Sequence, residues 1–152
     1  KIEGTAGYKF NLSERFSLVP FAGPGLRYWD RDIQSTSIAT GYLERWTSVY
    51  VLAGIHGNVE VSTNGKVFLE GGIKLPVYNE NKADLSVLGD GVVNLKPGKE
   101  ESFFAEAGFK WKRLRTAVFY EGLRFSESEV VDNWLQPEST GDIFGINVGL
   151  VF

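Results

Sequence analysis

The sequence predicts an all-β chain: an antiparallel, up-and-down transmembrane β-barrel of about eight strands, in a single domain over residues 1–152. Helical periodicity is nearly absent, while apolar and polar residues alternate in segments of about ten residues, the length a tilted membrane-crossing strand requires. The connections between these segments alternate short and long, which puts every tight turn at one end of a meander and every long loop at the other.

Seven strands are legible. The first, 2–11, sets Ile2, Gly4, Ala6, Tyr8 and Phe10 on one face and Glu3 and Lys9 on the other. Leu12-Ser13-Glu14-Arg15 turns the chain into 16–29, where Pro20 and Pro24 predict an irregular or bulged ladder because proline has no N–H to donate. A long connection, 30–42, leads to 43–61, whose apolar face runs from Thr47 through Val49, Val51, Ala53, Ile55, Gly57 and Val59 to Val61, with His56 and Glu60 opposite. Asn64-Gly65 then predicts a hairpin with a type I′ turn, whose two central residues need positive φ. In 66–77, Val67, Leu69, Gly71, Ile73 and Leu75 back onto Glu70 and Lys74. After the connection 78–101, in which 85–95 has the pattern of an extra hairpin, 102–112 sets Phe103, Ala105, Ala107, Phe109 and Trp111 against Glu106 and Lys110. Residues 112–114 return the chain into 115–126. There Glu121 shares a face with Ala117, Phe119 and Leu123, and Arg124 shares the other with Val118 and Tyr120, so one charge lies on the apolar side unless a bulge shifts the register. The long connection 127–141 precedes 142–152, in which Phe144, Ile146, Val148, Leu150 and Phe152 share a face.

Composition narrows the chemistry. The chain has 43% hydrophobic and 23% charged residues, no Cys, a single His and a net charge of −3. A Cys/His zinc site, a disulfide framework and a thiol nucleophile all lack their residues. Without a Lys/Arg cluster there is no basic face for phosphates, so no nucleic-acid partner is expected. Nothing at Lys1 has the charged and apolar regions of a signal peptide, and no run approaches the roughly 18 apolar residues of a membrane helix.

Period-2 alternation suits both a soluble carrier with an apolar cavity and a membrane barrel with an apolar skin. Two features favour the skin. Glu70-Gly71-Gly72-Ile73-Lys74 and Glu106-Ala107-Gly108-Phe109-Lys110 repeat one grammar, acid and base four apart with Gly between, as a narrow packed lumen requires. Aromatic residues also collect at two levels: Tyr28, Trp29, Tyr42, Trp46, Tyr78, Phe103 and Phe125 at the long-loop ends, and Phe10, Phe16, Trp111 and Phe152 at the tight-turn ends. An eight-stranded lumen is just wide enough to be filled by side chains. The expected filling is an ion network of Glu3, Lys9, Arg27, Glu60, Glu70, Lys74, Glu106 and Lys110, joined by Arg124.

The final strand, alternating Phe144, Ile146, Val148, Leu150 and Phe152 with small or polar residues, resembles the last strand of bacterial outer-membrane β-barrels. The chain as a whole is similar in size and pattern to the small eight-stranded barrels of the OmpA transmembrane domain, OmpX/Ail and opacity-protein group. The resemblance implies residence in the outer membrane of a Gram-negative bacterium, in contact with its lipid and lipopolysaccharide. It also implies that those five residues are the signal read by the barrel-assembly machinery. One departure stands out, because seven strands break the even number. An N-terminal strand absent from this chain, a divided segment, or membership of a larger porin would each restore it.

Catalysis is not expected, nor any cofactor or metal. Enzymes on similar barrels, the lipid A deacylases, carry a His-x-Ser pattern, and here Asn58 follows His56 at the matching place. The lone His56 therefore reads as a hydrogen-bonded lumen residue, and Glu70 with Glu106 as part of an ion network rather than a glycosidase pair, given Lys74 and Lys110 beside them. Phe21 to Leu26 is Gly-rich but lacks the Lys and helix of a phosphate loop. The long loops carry the remaining candidates for an extracellular ligand: Trp29 and Asp32 on the first, and Glu127, Glu129, Asp132 and Trp134 on the last. The expected role is a non-enzymatic structural or surface-interaction one, with a solute channel and a lipocalin-like soluble carrier as the alternatives.

Overall fold

A computed structural model describes residues 1–151; Phe152, the last residue of the expected assembly signal, lies outside the described residues. The chain is one antiparallel meander in which β1 (Ile2–Glu3), β2 (Ala6–Gly7) and β3 (Phe10–Asn11) share the first edge. Then follow in order β4 (Phe16–Ile33), β5 (Tyr42–Ser62), β6 (Gly65–Asp84), β9 (Ser102–Trp111), β10 (Leu114–Ser126) and β11 (Ser139–Leu150). The sheet is rolled, since Phe21 of β4 lies 6.3 Å from Phe104 of β9, three sheet positions away. It is not closed. Both edges run from the loop end to the turn end, so β1–β3 and β11 are parallel to each other and cannot complete an antiparallel ladder.

The two prolines explain why the first edge is broken into three. Pro20 and Pro24 aim their carbonyls at that edge and accept from Tyr8 and Gly4 at 3.2 and 3.0 Å, but they have no N–H to return. The ladder therefore lapses beside each one, between β1 and β2 and again between β2 and β3. No bulge results, because β4 keeps one register along its whole length with β5, from Phe16↔Val59 to Ile33↔Tyr42. The irregularity that the prolines predict falls on the neighbouring strand instead.

At the loop end β4, β6 and β11 run past the predicted bounds, to Ile33, to Asp84 and from Ser139, so the long connections shrink. The first is 34–41 rather than 30–42. In the second, β7 (Val92–Leu95) pairs with the end of β6 and β8 (Gly98–Lys99) with β10. Residues 92–111 thus form one interrupted antiparallel partner of β6, descending from the loop end to the turn end, and the 85–95 segment is the tip of this hairpin rather than an extra one. Its turn carries the short 3-10 element η1 (Ser86–Leu88). The 63–64 hairpin also departs from expectation: neither Asn64 nor Gly65 has positive φ, and Gly65 opens β6 opposite Ser62. What requires glycine there is room, since a Cβ would stand 2.9 Å from the Trp111 indole.

The apolar faces point outward. Leu69, Val118 and Ile146 are 64%, 58% and 71% exposed, and every outward position from Val49 to Val61 on β5 is uncharged. Inward stand Leu52, Phe68, Phe104, Ala117 and Phe119 together with charges. A register shift at Val49/Tyr50, where Val77 is the extra residue, inverts the parity of β6, so that Lys74 before it and Asn79 and Asn81 after it are all buried. The sixth strand resolves without a bulge. Its register with β11 is unbroken, Glu121 turns inward and Arg124 outward, at the loop end, where it pairs with Asp142 at 2.7 Å. Arg124 is thus corrected from lumen to outer rim.

Close interior packing rests on Gly72, where an added Cβ would collide with the Ala53 carbonyl and stand 2.8 Å from the Phe104 ring. Gly72→Ala is expected to cost about 1–3 kcal/mol as overpacking. The midpoint of urea unfolding, compared with the parent chain, reads this loss.

Candidate functional site

The interior is organised in three polar layers. At mid-height, Glu121 of β10 accepts from Lys74 of β6, from Arg27 of β4 at 2.5 Å and from Lys1 at 3.0 Å. Glu3 lies 3.0 Å from Lys74 and 3.3 Å from Lys1, and the Tyr50 hydroxyl donates to it at 2.6 Å. Lys74 also sits 4.9 Å above the Tyr50 ring. Glu121 and Lys74 are each only 6% exposed, so this cluster crosses the interior and ties together five strands, β1, β4, β5, β6 and β10.

Toward the turn end, His56 Nδ1 lies 2.8 Å from Glu70 and Nε2 lies 3.0 Å from Asn58 Oδ1, with the ring stacked on Phe68. Arg115 covers the other part of Phe68 and pairs with Glu106 at 2.6 Å. Glu70 and Glu106 are register partners, and each carboxylate has its own nitrogen partner, His56 for Glu70 and Arg115 for Glu106, rather than facing the other acid alone. Toward the loop end, Arg31 donates to Glu44 at 2.6 and 2.8 Å, and the Trp46 indole N–H donates to the same oxygen at 2.8 Å. Trp29 stacks on Trp46 at 5.4 Å, and Phe125 lies 4.9 Å from Trp46, forming an aromatic lid over the charges.

Several predicted roles change. The four-apart acid and base of one strand are not partners, because four residues of extended chain span roughly 13 Å. Glu70 pairs with His56, Lys74 with Glu121 and Glu3, and Glu106 with Arg115, all across strands. Glu60 pairs with Lys66 at 2.6 Å on the exposed rim, and Lys9 and Lys110 make no ion pair among the described residues. Trp29, Trp46 and Phe125 belong to the interior lid, not to an outer girdle, whereas Tyr28, Tyr78 and Phe103, with Phe10 and Trp111 at the other end, do face outward.

The loop candidates divide in the same way. Leu85, Val93, Leu95 and Ala83 form a small core above the lid, against which Tyr42, Val131 and Trp134 pack. Trp134 donates to Asp90 at 3.1 Å, and Asn81, fully buried, donates to Gln136 at 2.7 Å, so 127–138 is strapped onto the β6–β7 hairpin. Asp132 and Asn133 both have positive φ, a two-residue turn between the bridged Val131 and Trp134. Asp132 therefore serves the backbone, while Asp32, Glu127 and Glu129 remain exposed. At the hairpin's base the Ser86 hydroxyl and N–H hold the Asp84 carboxyl below its ordinary range. Trp134→Ala is expected to free the strap: cleavage by a Glu-specific protease at Glu127, Glu129 and Glu138 should accelerate about tenfold while the sheet stays intact.

No protein-family model and no curated protein matches this chain. Residues that carry the site but escape the sequence pattern are Glu121, Lys1, Tyr50, Arg115, Arg31 and Glu44. For Glu121 a signal exists: Gly141, Gly145 and Gly149 alternate on β11, and a Cβ on Gly145 would stand 2.5 Å from Phe119, which marks the Phe119 and Glu121 side of β10 as the crowded interior.

Proposed function

We propose that this chain supplies seven strands of a transmembrane β-barrel of about eight, in the outer membrane of a Gram-negative bacterium, with a non-enzymatic structural or surface-interaction role. The observation that carries the reading is the pairing of an exposed, uncharged apolar face along the middle of every strand with charges that meet one another inside. Water would leave that exposed face unsatisfied, whereas hydrocarbon suits it. The loop-end cap, fixed by its own small core, then becomes the part that meets an extracellular ligand, and exposed Asp32, Glu127 and Glu129 are its polar contacts. The lid of Trp29, Trp46 and Phe125 above the Glu121 cluster fits a plugged barrel better than a solute channel.

Refolding from urea into detergent micelles tests this. A β spectrum and heat-modifiable gel migration in detergent but not in buffer are expected, together with negligible conductance in planar bilayers. Folding as a monomer in plain buffer would favour a soluble carrier, and steady conductance a channel.

A further inference from the structure

Two unpaired edges face each other across an interior cleft of about 710 Å³, which residues from both line: Lys1, Glu3 and Thr5 from one, Ile143 and Asn147 from the other. Because the edges are parallel, one strand running from the turn end to the loop end would be antiparallel to both. Unmet backbone groups in hydrocarbon cost several kcal/mol each, so such a pair of edges demands a partner.

The charges beside the cleft say what that partner carries. One inward register row at the turn end reads Lys66, Lys110, Arg115 and then Gly149 at the edge. Glu60 and Glu106 pair with Lys66 and Arg115, but among the described residues neither Lys110 nor Lys9 on the opposite edge has a carboxylate within ion-pair distance, Lys9 acting on Glu60 only from farther away. Gly149 leaves open space, with nothing within 4 Å of where a Cβ would stand. We infer that the cleft accepts one extended segment of about ten residues, apolar outward, with a carboxylate near its N-terminal end reaching over Gly149 toward Lys9, Lys110 and Arg115. This rests on the barrel reading above.

The test uses the chain folded in micelles and fluorophore-labelled ten-residue peptides that alternate apolar residues with Gly and Thr, carrying Glu or Lys at the third position. Binding is read by anisotropy. The Glu peptide is expected to bind about tenfold tighter than the Lys peptide, and Lys9→Gln with Lys110→Gln, both outside the central cluster, should abolish that preference. A photo-crosslinker in the peptide should label both edges. Equal binding of the two peptides, dimers joined edge to edge in sedimentation, or a disulfide formed between Ala6→Cys and Ile146→Cys would each overturn the inference while leaving a heat-modifiable barrel in place. Failure to fold in micelles would remove the barrel reading and this inference with it.

Discussion

Glu121→Leu is expected to destabilise the fold by about 3–5 kcal/mol, the loss typical of stripping one partner from a buried ion cluster. Among the described residues its carboxylate is the only one paired with Arg27, and it shares Lys74 and Lys1 with Glu3. Removing it leaves three cations around a single carboxylate in a site where Lys74 is 6% exposed. Repulsion and desolvation then act in the same direction. The partner experiment is Lys74→Met in the same chain. With one cation deleted, Glu3 can serve Lys1, and the double variant should recover a large part of the loss, giving a coupling that a double-mutant cycle resolves. Glu60→Leu, which breaks only the exposed pair with Lys66, should leave the unfolding midpoint nearly unchanged. Urea unfolding in micelles followed by tryptophan fluorescence serves all three, since Trp46 is buried in the lid. Equal effects from Glu121→Leu and Glu60→Leu would mean that the central cluster is not the keystone its geometry makes it.

Strand faces were legible wherever each position alternated apolar with charged, as along β9, where Phe103 to Trp111 look outward and Glu106 and Lys110 inward. Legibility failed where both faces are apolar. On β10 the inward side carries Ala117, Phe119, Leu123 and Phe125, so hydrophobicity could not place Glu121, and only the facing glycines of β11 could. Strand ends were misread for a different reason: beyond the apolar band the outward residues become Arg45, Glu80 and Lys82, which look like loop, although the ladder continues to Asp84. Backbone hydrogen bonds hold those extensions without any side-chain periodicity to announce them. Ion partners escaped because charge identity fixes a residue's face but not which strand lies opposite across a rolled sheet. Arg27 meeting Glu121 is a fact of curvature, invisible to spacing along the chain.

Leu69→Arg and Val61→Arg should separate the membrane reading from every soluble one. Leu69 stands outward in the middle of a register row that joins Gly57, Ala107 and Val118, far from either ring of outward aromatics. Val61 stands outward next to the 63–64 turn. In a bilayer an Arg at the midplane costs about 2–4 kcal/mol, falling to about 0–1 kcal/mol near the interface, where its long side chain reaches the headgroups. The expected result is therefore a large loss for Leu69→Arg and a small one for Val61→Arg, measured by urea unfolding in lipid vesicles. Both residues are comparably exposed, at 64% and 59%, so water as the surrounding solvent would make the two substitutions alike and nearly harmless. Depth dependence is what only a layered solvent can impose, and the same pair of variants would report it even if the loops, the ligand and the eighth strand were all different from those proposed.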